Sequence, residues 1–145
     1  LFAEGEPGGE RIAVIGPCPN PHRDWSYDEG SALRVWELAQ IKLDFWNLFD
    51  REPETWNANL ARTTASVWRT CDPDYTTLIL LGAKVRDAFG LQDKKWLDWS
   101  EIGSTHMGLV LPHPSGLNRW WNNPRNRVNA QNKVREIIRE GSPVQ

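Results

Sequence analysis

The chain has 145 residues, 39% apolar and 25% charged, the make-up of one globular domain with one core rather than of a disordered chain. No apolar run approaches the roughly 20 residues that span a bilayer, and the opening Leu1 to Glu10 is acidic and Gly-rich, without a signal-peptide pattern. Two cysteines, Cys18 and Cys71, are too few to hold an iron–sulfur cluster and suit a cytoplasmic protein; with His22, His106 and His113 they show no metal-ligand spacing, so neither metal nor cofactor is expected.

Taken in order, Leu1 to Glu10 reads as a loose lead-in, and Arg11-Ile-Ala-Val-Ile-Gly16 as a buried first strand. Three prolines in Pro17-Cys-Pro-Asn-Pro-His22 force a stiff non-helical loop, which continues through Arg23 to Glu29. Leu33, Trp36 and Ala39–Gln40, behind Gly30 and Ser31, have the period of an amphipathic helix. Leu43 to Phe49 reads as a second strand that turns polar at Asn47, and Arg51 to Asn57 as a loop. Leu60, Thr64, Val67 and Trp68 mark a second helix, and Cys71 to Asp74 a turn. Thr77 to Gly82 is the most apolar strand; a short helix from Ala83 to Phe89 follows, with Val85 and Phe89 on one face and Gly90 as its stop. Leu91 to Thr105 reads as an irregular connection, and Met107 to Leu111 as a fourth strand ending at Pro112. Asn123-Pro124 resembles an N-cap and first helical residue, opening a helix to Glu140 with Val128, Val134, Ile137 and Ile138 inward. Strand and helix alternating four times predict an α/β fold, a three-layer αβα sandwich with a four-stranded parallel sheet, in a single domain without repeats.

In such sheets ligands bind beyond the carboxyl ends of the strands. The loop after the fourth strand, His113-Pro-Ser-Gly-Leu-Asn-Arg119, gathers an imidazole, a hydroxyl, a glycine, a leucine and an arginine at such an end. Net charge is −2, which by itself argues against a nucleic-acid partner. From Pro112 to Arg139, however, Arg119, Arg125, Arg127, Lys133, Arg135 and Arg139 face one acid, Glu136, a net of +5 that leaves −7 for the rest. That segment is either a phosphate footprint or a solvated helix face.

Three elements together resemble the uracil-DNA glycosylase superfamily, in that family's order and across nearly the whole chain: Gly16-Pro-Cys-Pro-Asn-Pro after a strand, Phe45-Trp-Asn47-Leu at the end of a strand, and His113-Pro-Ser-Gly-Leu-Asn. Thr77 to Gly90 also resembles its third strand and helix. The resemblance implies a monomeric, monofunctional DNA glycosylase that hydrolyses the N-glycosidic bond of a flipped-out pyrimidine with water, without a Schiff base and without a membrane partner. It implies that His113 donates a hydrogen bond to the pyrimidine O2, against the alternative of an ordinary loop histidine. Asn47 reads the base or merely caps its strand, with Pro17 and Cys18 beside it at the base site. Ser115 and Gly116 meet a phosphate or form a simple turn. Leu117 is a wedge in the vacated stack or a core contact, and Asn118, Arg119 and Arg125 touch the DNA. Trp120 and Trp121 are candidates for stacking on bases or sugars; Trp36, Trp46, Trp56 and Trp68 suit the core.

The first loop departs from the family pattern. Where the uracil enzymes carry Asp, Glu or Asn, this chain has Pro17, Cys18 and Pro19. Water activation then falls to Asn20 or to a carboxylate of the Asp24–Glu29 stretch, with Asp24 and Asp28 the foremost candidates. Cys18 suits a small buried residue better than a nucleophile. Asn20 also aligns with a Tyr that blocks the pyrimidine C5 position in the most uracil-specific branch. A smaller residue there leaves room for a 5-substituent, so a modified, phage-type or mismatched pyrimidine is the expected base and antiviral defence the expected setting, with plain uracil a close competitor. A non-catalytic DNA-binding module on the same scaffold is the rival reading, and a nucleotide-binding Rossmann-like enzyme is disfavoured because Gly16-Pro-Cys-Pro is no phosphate loop.

Overall fold

A computed structural model describes residues 2–4, 11–19, 30–41, 43–71, 75–114 and 119–140. Eleven elements follow one another: strands β1 (Phe2–Glu4) and β2 (Ile12–Gly16), helix α1 (Gly30–Ala39), β3 (Asp44–Asn47), α2 (Ala58–Cys71), β4 (Thr77–Leu81), α3 (Ala83–Ala88), β5 (Trp99–Ile102), β6 (His106–Leu111), a 3-10 turn (Arg119–Asn122) and α4 (Pro124–Glu140).

The strands form one mixed sheet in the order β1-β3-β2-β4-β6-β5. Its centre, β3-β2-β4-β6, is parallel throughout and consists of the four expected strands. The expectation of a sheet with four strands alone is corrected at both edges, where β1 pairs antiparallel with β3 and β5 antiparallel with β6. Each edge strand lies in a stretch expected to be irregular, the lead-in or the Leu91–Thr105 connection. Both are short, at three and four residues, and β5 carries partly exposed side chains, so neither shows the continuous apolar run of a central strand.

The central strands are buried on both faces, β2 and β4 along their whole length, because helices cover both. On one face Ile12, Val14, Phe45, Ile79, Leu81, Leu109 and Leu111 pack with Val35 and Leu38 of α1 and Ala130, Val134 and Ile137 of α4. On the other, Ala13, Ile15, Leu78, Leu80 and Val110 pack with Ala61, Ala65 and Trp68 of α2 and Val85 and Ala88 of α3. The result is a three-layer αβα sandwich.

Helix α2 turns a different stripe inward from the one expected, and α4 departs from its expected stripe at one position. In α2 the small residues Ala61 and Ala65 are buried, while Leu60 and Val67 are 49% and 54% exposed. In α4 Val134 and Ile137 are buried and Ile138 partly so, while Val128 is 52% exposed. Asn57 caps α2, its Oδ1 accepting the Leu60 amide at 3.0 Å. Asn123 caps α4 as expected, its Oδ1 accepting the Arg125 amide at 2.9 Å.

Candidate functional site

Strand order decides where a site can form. From β2 the chain steps outward to β3, then returns past β2 to β4 and on to β6. The reversal lies between β2 and β4, and in open α/β sheets the crevice beyond such a switch point takes the ligand. Gly16 ends β2 and Gly82 follows β4 directly. Asn47 ends β3 on one side of this pair; His113 follows β6 by two residues on the other.

Both glycines are required by what lies against them. A Cβ on Gly16 would stand 2.8 Å from Asn47 Oδ1, closer than real Cβ contacts come, so the bare glycine admits the carboxamide. The pairing of Gly16 with Asn47 continues past the strand ends, where the Leu48 amide donates to Gly16 O and the Phe49 amide to Pro17 O, both at 3.0 Å. Pro17 and Cys18, both partly buried, therefore begin their loop alongside the end of β3. Gly82 has φ +91°, and a Cβ there would lie 3.3 Å from that of His113; its amide donates to Leu111 O at 2.7 Å. The last loop is thus tied to the end of β4.

Asn47 is 4% exposed, held in the sheet rather than waving from a loop. His113 is partly exposed, and burial pushes its imidazole below the ordinary histidine pKa. It is therefore neutral near pH 7, with one N–H to give. Trp121 holds the loop from beneath: its indole is 1% exposed and its Nε1–H donates to His113 O at 3.1 Å. This corrects the expectation that Trp121 stacks on bases, because a ring inside the core has no free face. Trp120, partly exposed, meets Trp121 edge to face with centroids 4.7 Å apart. Trp68 is in the core, and Trp46 and Trp56 pack against it, as expected.

The structure therefore brings Asn47, Pro17 and His113 to one edge of the sheet. Arg119 and Arg125 are exposed on the turn and helix that follow. Of the basic segment, Arg135 is engaged within the fold, its Nε donating to Leu38 O at 3.2 Å. Asn20, Asp24, Asp28, Ser115, Gly116, Leu117 and Asn118 lie outside the described residues. Sequence reasoning missed Trp121 as the support of His113 and the two glycines as makers of space; only the position of Gly after an apolar strand hinted at the latter.

Two cavities bounded by described residues lie away from this edge. One, of about 270 Å³, is at the amino end of β4 and β6, lined by Thr76, Thr77, Glu101, Thr105 and His106 among others. The second, of about 210 Å³, lies between α1 and α4. Among the described residues no three His, Cys, Asp or Glu side chains cluster as a metal site would require, and no helix is long and apolar enough to cross a membrane. No protein-family model matches the chain, and no curated protein matches it.

Proposed function

We propose that this protein is a monofunctional DNA glycosylase of uracil-DNA glycosylase-like fold, hydrolysing the N-glycosidic bond of an everted pyrimidine. The observation that carries the reading is the common location of Asn47 and His113. They flank the Gly16–Gly82 switch point at one sheet edge, on strands three spacings, or about 14 Å, apart. That span accommodates one flat ring between two side chains reaching toward each other.

In this reading Asn47 presents a donor and an acceptor to the pyrimidine edge. As the bond from C1′ to the base breaks, its electron pair departs with the base and gathers on O2. The neutral His113 donates to that oxygen, and because Trp121 and Gly82 already fix its loop, little reorganisation is needed. A water oxygen then bonds to C1′ and yields its proton to a carboxylate, with Asp24 and Asp28 the candidates and Asn20 an alternative orienter. The products are the free base and an abasic site. The exposed Arg119 and Arg125 suit phosphates of the surrounding strand. A base bearing a 5-substituent, of phage type, is the favoured substrate, with uracil next.

The test is single-turnover incubation with duplexes carrying uracil or 5-substituted pyrimidines, with alkaline cleavage for abasic sites and mass spectrometry of released bases. Wild-type protein should release one base, and His113→Ala should slow this by about 10²–10³-fold. Borohydride should trap no covalent adduct. One observation favours a second reading, a DNA-binding module without catalysis: Pro17, Cys18 and Pro19 offer no carboxylate directly after β2. DNA binding with no base released from any substrate would establish that reading instead.

A further inference from the structure

We propose that the outward face of α4 is a contact surface for duplex DNA and lies in its major groove. Arg125, Asn129, Asn132, Glu136 and Arg139 follow one another at intervals of four and three residues, so they share one face of the helix. All five are exposed, while Ala130, Val134 and Ile137 on the opposite face are buried against the sheet. The asparagines give the first indication. Asn123 caps the helix, and Asn126 Nδ2 donates to Trp120 O at 2.9 Å, so the fold accounts for both. The side chains of Asn129 and Asn132 have no hydrogen-bond partner among the described residues. Asparagine is a poor helix former because its carboxamide competes for the backbone. In mid-helix these two cost stability and gain no contact within the fold.

Charge is the second indication. α4 holds Arg125, Arg127, Lys133, Arg135 and Arg139 against Glu136 and Glu140, and among the described residues none of these cations is in an ion pair. An acidic protein partner would use the cations and leave the carboxamides idle; DNA uses both. A carboxamide matches the paired acceptor and donor of an adenine edge, and a carboxylate such as that of Glu136 accepts from a cytosine amino group. Arg125 and Arg139 stand about 21 Å apart along the axis, more than the roughly 12 Å width of the groove. They reach the two flanking backbones while Asn129 and Asn132, between them, meet the bases. The major groove of an RNA duplex is too narrow for this, which favours DNA. Location agrees, since α4 opens just after Trp121, whose indole N–H holds His113 O. The choice of DNA shares a premise with the proposed function; the unaccounted asparagines and the unpaired charge do not.

The experiment mixes the protein with undamaged DNA duplexes of randomised core and sequences the bound fraction. Affinity for the enriched duplex is then measured by fluorescence anisotropy across a salt series, beside its single strand and the corresponding RNA duplex. The variants are the pair Asn129→Ala with Asn132→Ala, and Arg139→Gln, all at exposed positions. The asparagine pair should melt at a higher temperature, as helix propensity dictates, yet bind the enriched duplex about 10-fold more weakly and lose its preference for adenine. A purely structural role would not move stability and binding in opposite directions. Arg139→Gln should weaken binding to all duplexes alike and reduce the slope of log K against log [salt] by about 0.9. Unaltered affinity and slope in both variants, or equal affinity for single strand or RNA duplex, overturns the proposal. If base release is seen alongside that result, the proposed function survives alone; the expected losses without base release leave this face standing and the glycosylase reading lost.

Discussion

β6 carries a histidine near each end, and the two differ in what surrounds them. His106 opens the strand at the amino edge, 6% exposed, its Nδ1 sharing a hydrogen bond with the Thr105 hydroxyl at 2.6 Å. Its pKa is lowered by burial first and by the charge of Arg69 second, against a backbone hydrogen bond with Tyr75. His113 lies beyond the other end, partly exposed, its pKa lowered by burial alone, its backbone carbonyl held by Trp121. Both imidazoles are held neutral, but only one stands where parallel strands deliver their loops. At the carboxyl edge the crossovers after β2 and β4 depart to opposite faces of the sheet, α1 to one and α3 to the other, and the crevice opens between them. The comparison sets His106 among the residues at the amino edge of the sheet and leaves His113 as the histidine of the candidate site.

Removing the support of the carboxyl end should have the largest effect. Trp121→Ala empties a fully buried volume and should cost about 3–5 kcal/mol of stability in urea denaturation. Trp121→Phe keeps much of that packing but releases His113 O; it should stay folded while base release slows, a separation that packing alone would not produce. The glycines come next. Gly16→Ala meets Asn47 Oδ1 at 2.8 Å and Gly82→Ala combines φ +91° with a close His113, so each should cost about 1–3 kcal/mol and lower base release as well.

At the amino end, Tyr75→Phe removes the hydroxyl bond to Asp44. It should cost about 1–2 kcal/mol and leave base release per folded molecule unchanged. A loss of activity there equal to that of Trp121→Phe would erase the distinction between the two ends. The smallest effect expected is that of pH. With both folded-state pKa values lowered, the unfolded chain takes up protons that the folded one does not. Stability is therefore full above about pH 6.5, the unfolded histidine value, and falls as pH drops below it toward the lowered folded values. His106→Gln should lessen that acid loss, seen as a smaller difference in urea midpoint between pH 7.5 and 5.5.

Reading the chain for helices works where a buried stripe is apolar and fails where it is small. α2 hides Ala61 and Ala65 because α2 must come close to the sheet, and it leaves Leu60 and Val67 outside. Periodicity tracks hydrophobic bulk and so favours the wrong face. The edge strands β1 and β5 were illegible for a related reason. β5 is covered less completely than a central strand, and both edge strands owe their existence to a neighbour's unpaired backbone, which no local pattern records.

The sequence by itself determined the four central strands, the four helices and the α/β alternation, because apolar runs of a strand's length and amphipathic periods are local properties of the chain. It also marked the segments that carry Asn47 and His113. Tertiary structure decided that those two residues share an edge, that Gly16 and Gly82 make room between them, and that Trp121 belongs to the core beneath His113 rather than to a ligand surface. Those facts depend on strand order and on what packs across 31 to 97 residues of chain, as with Gly16 against Asn47 and Leu38 against Arg135, and no local pattern encodes such pairings.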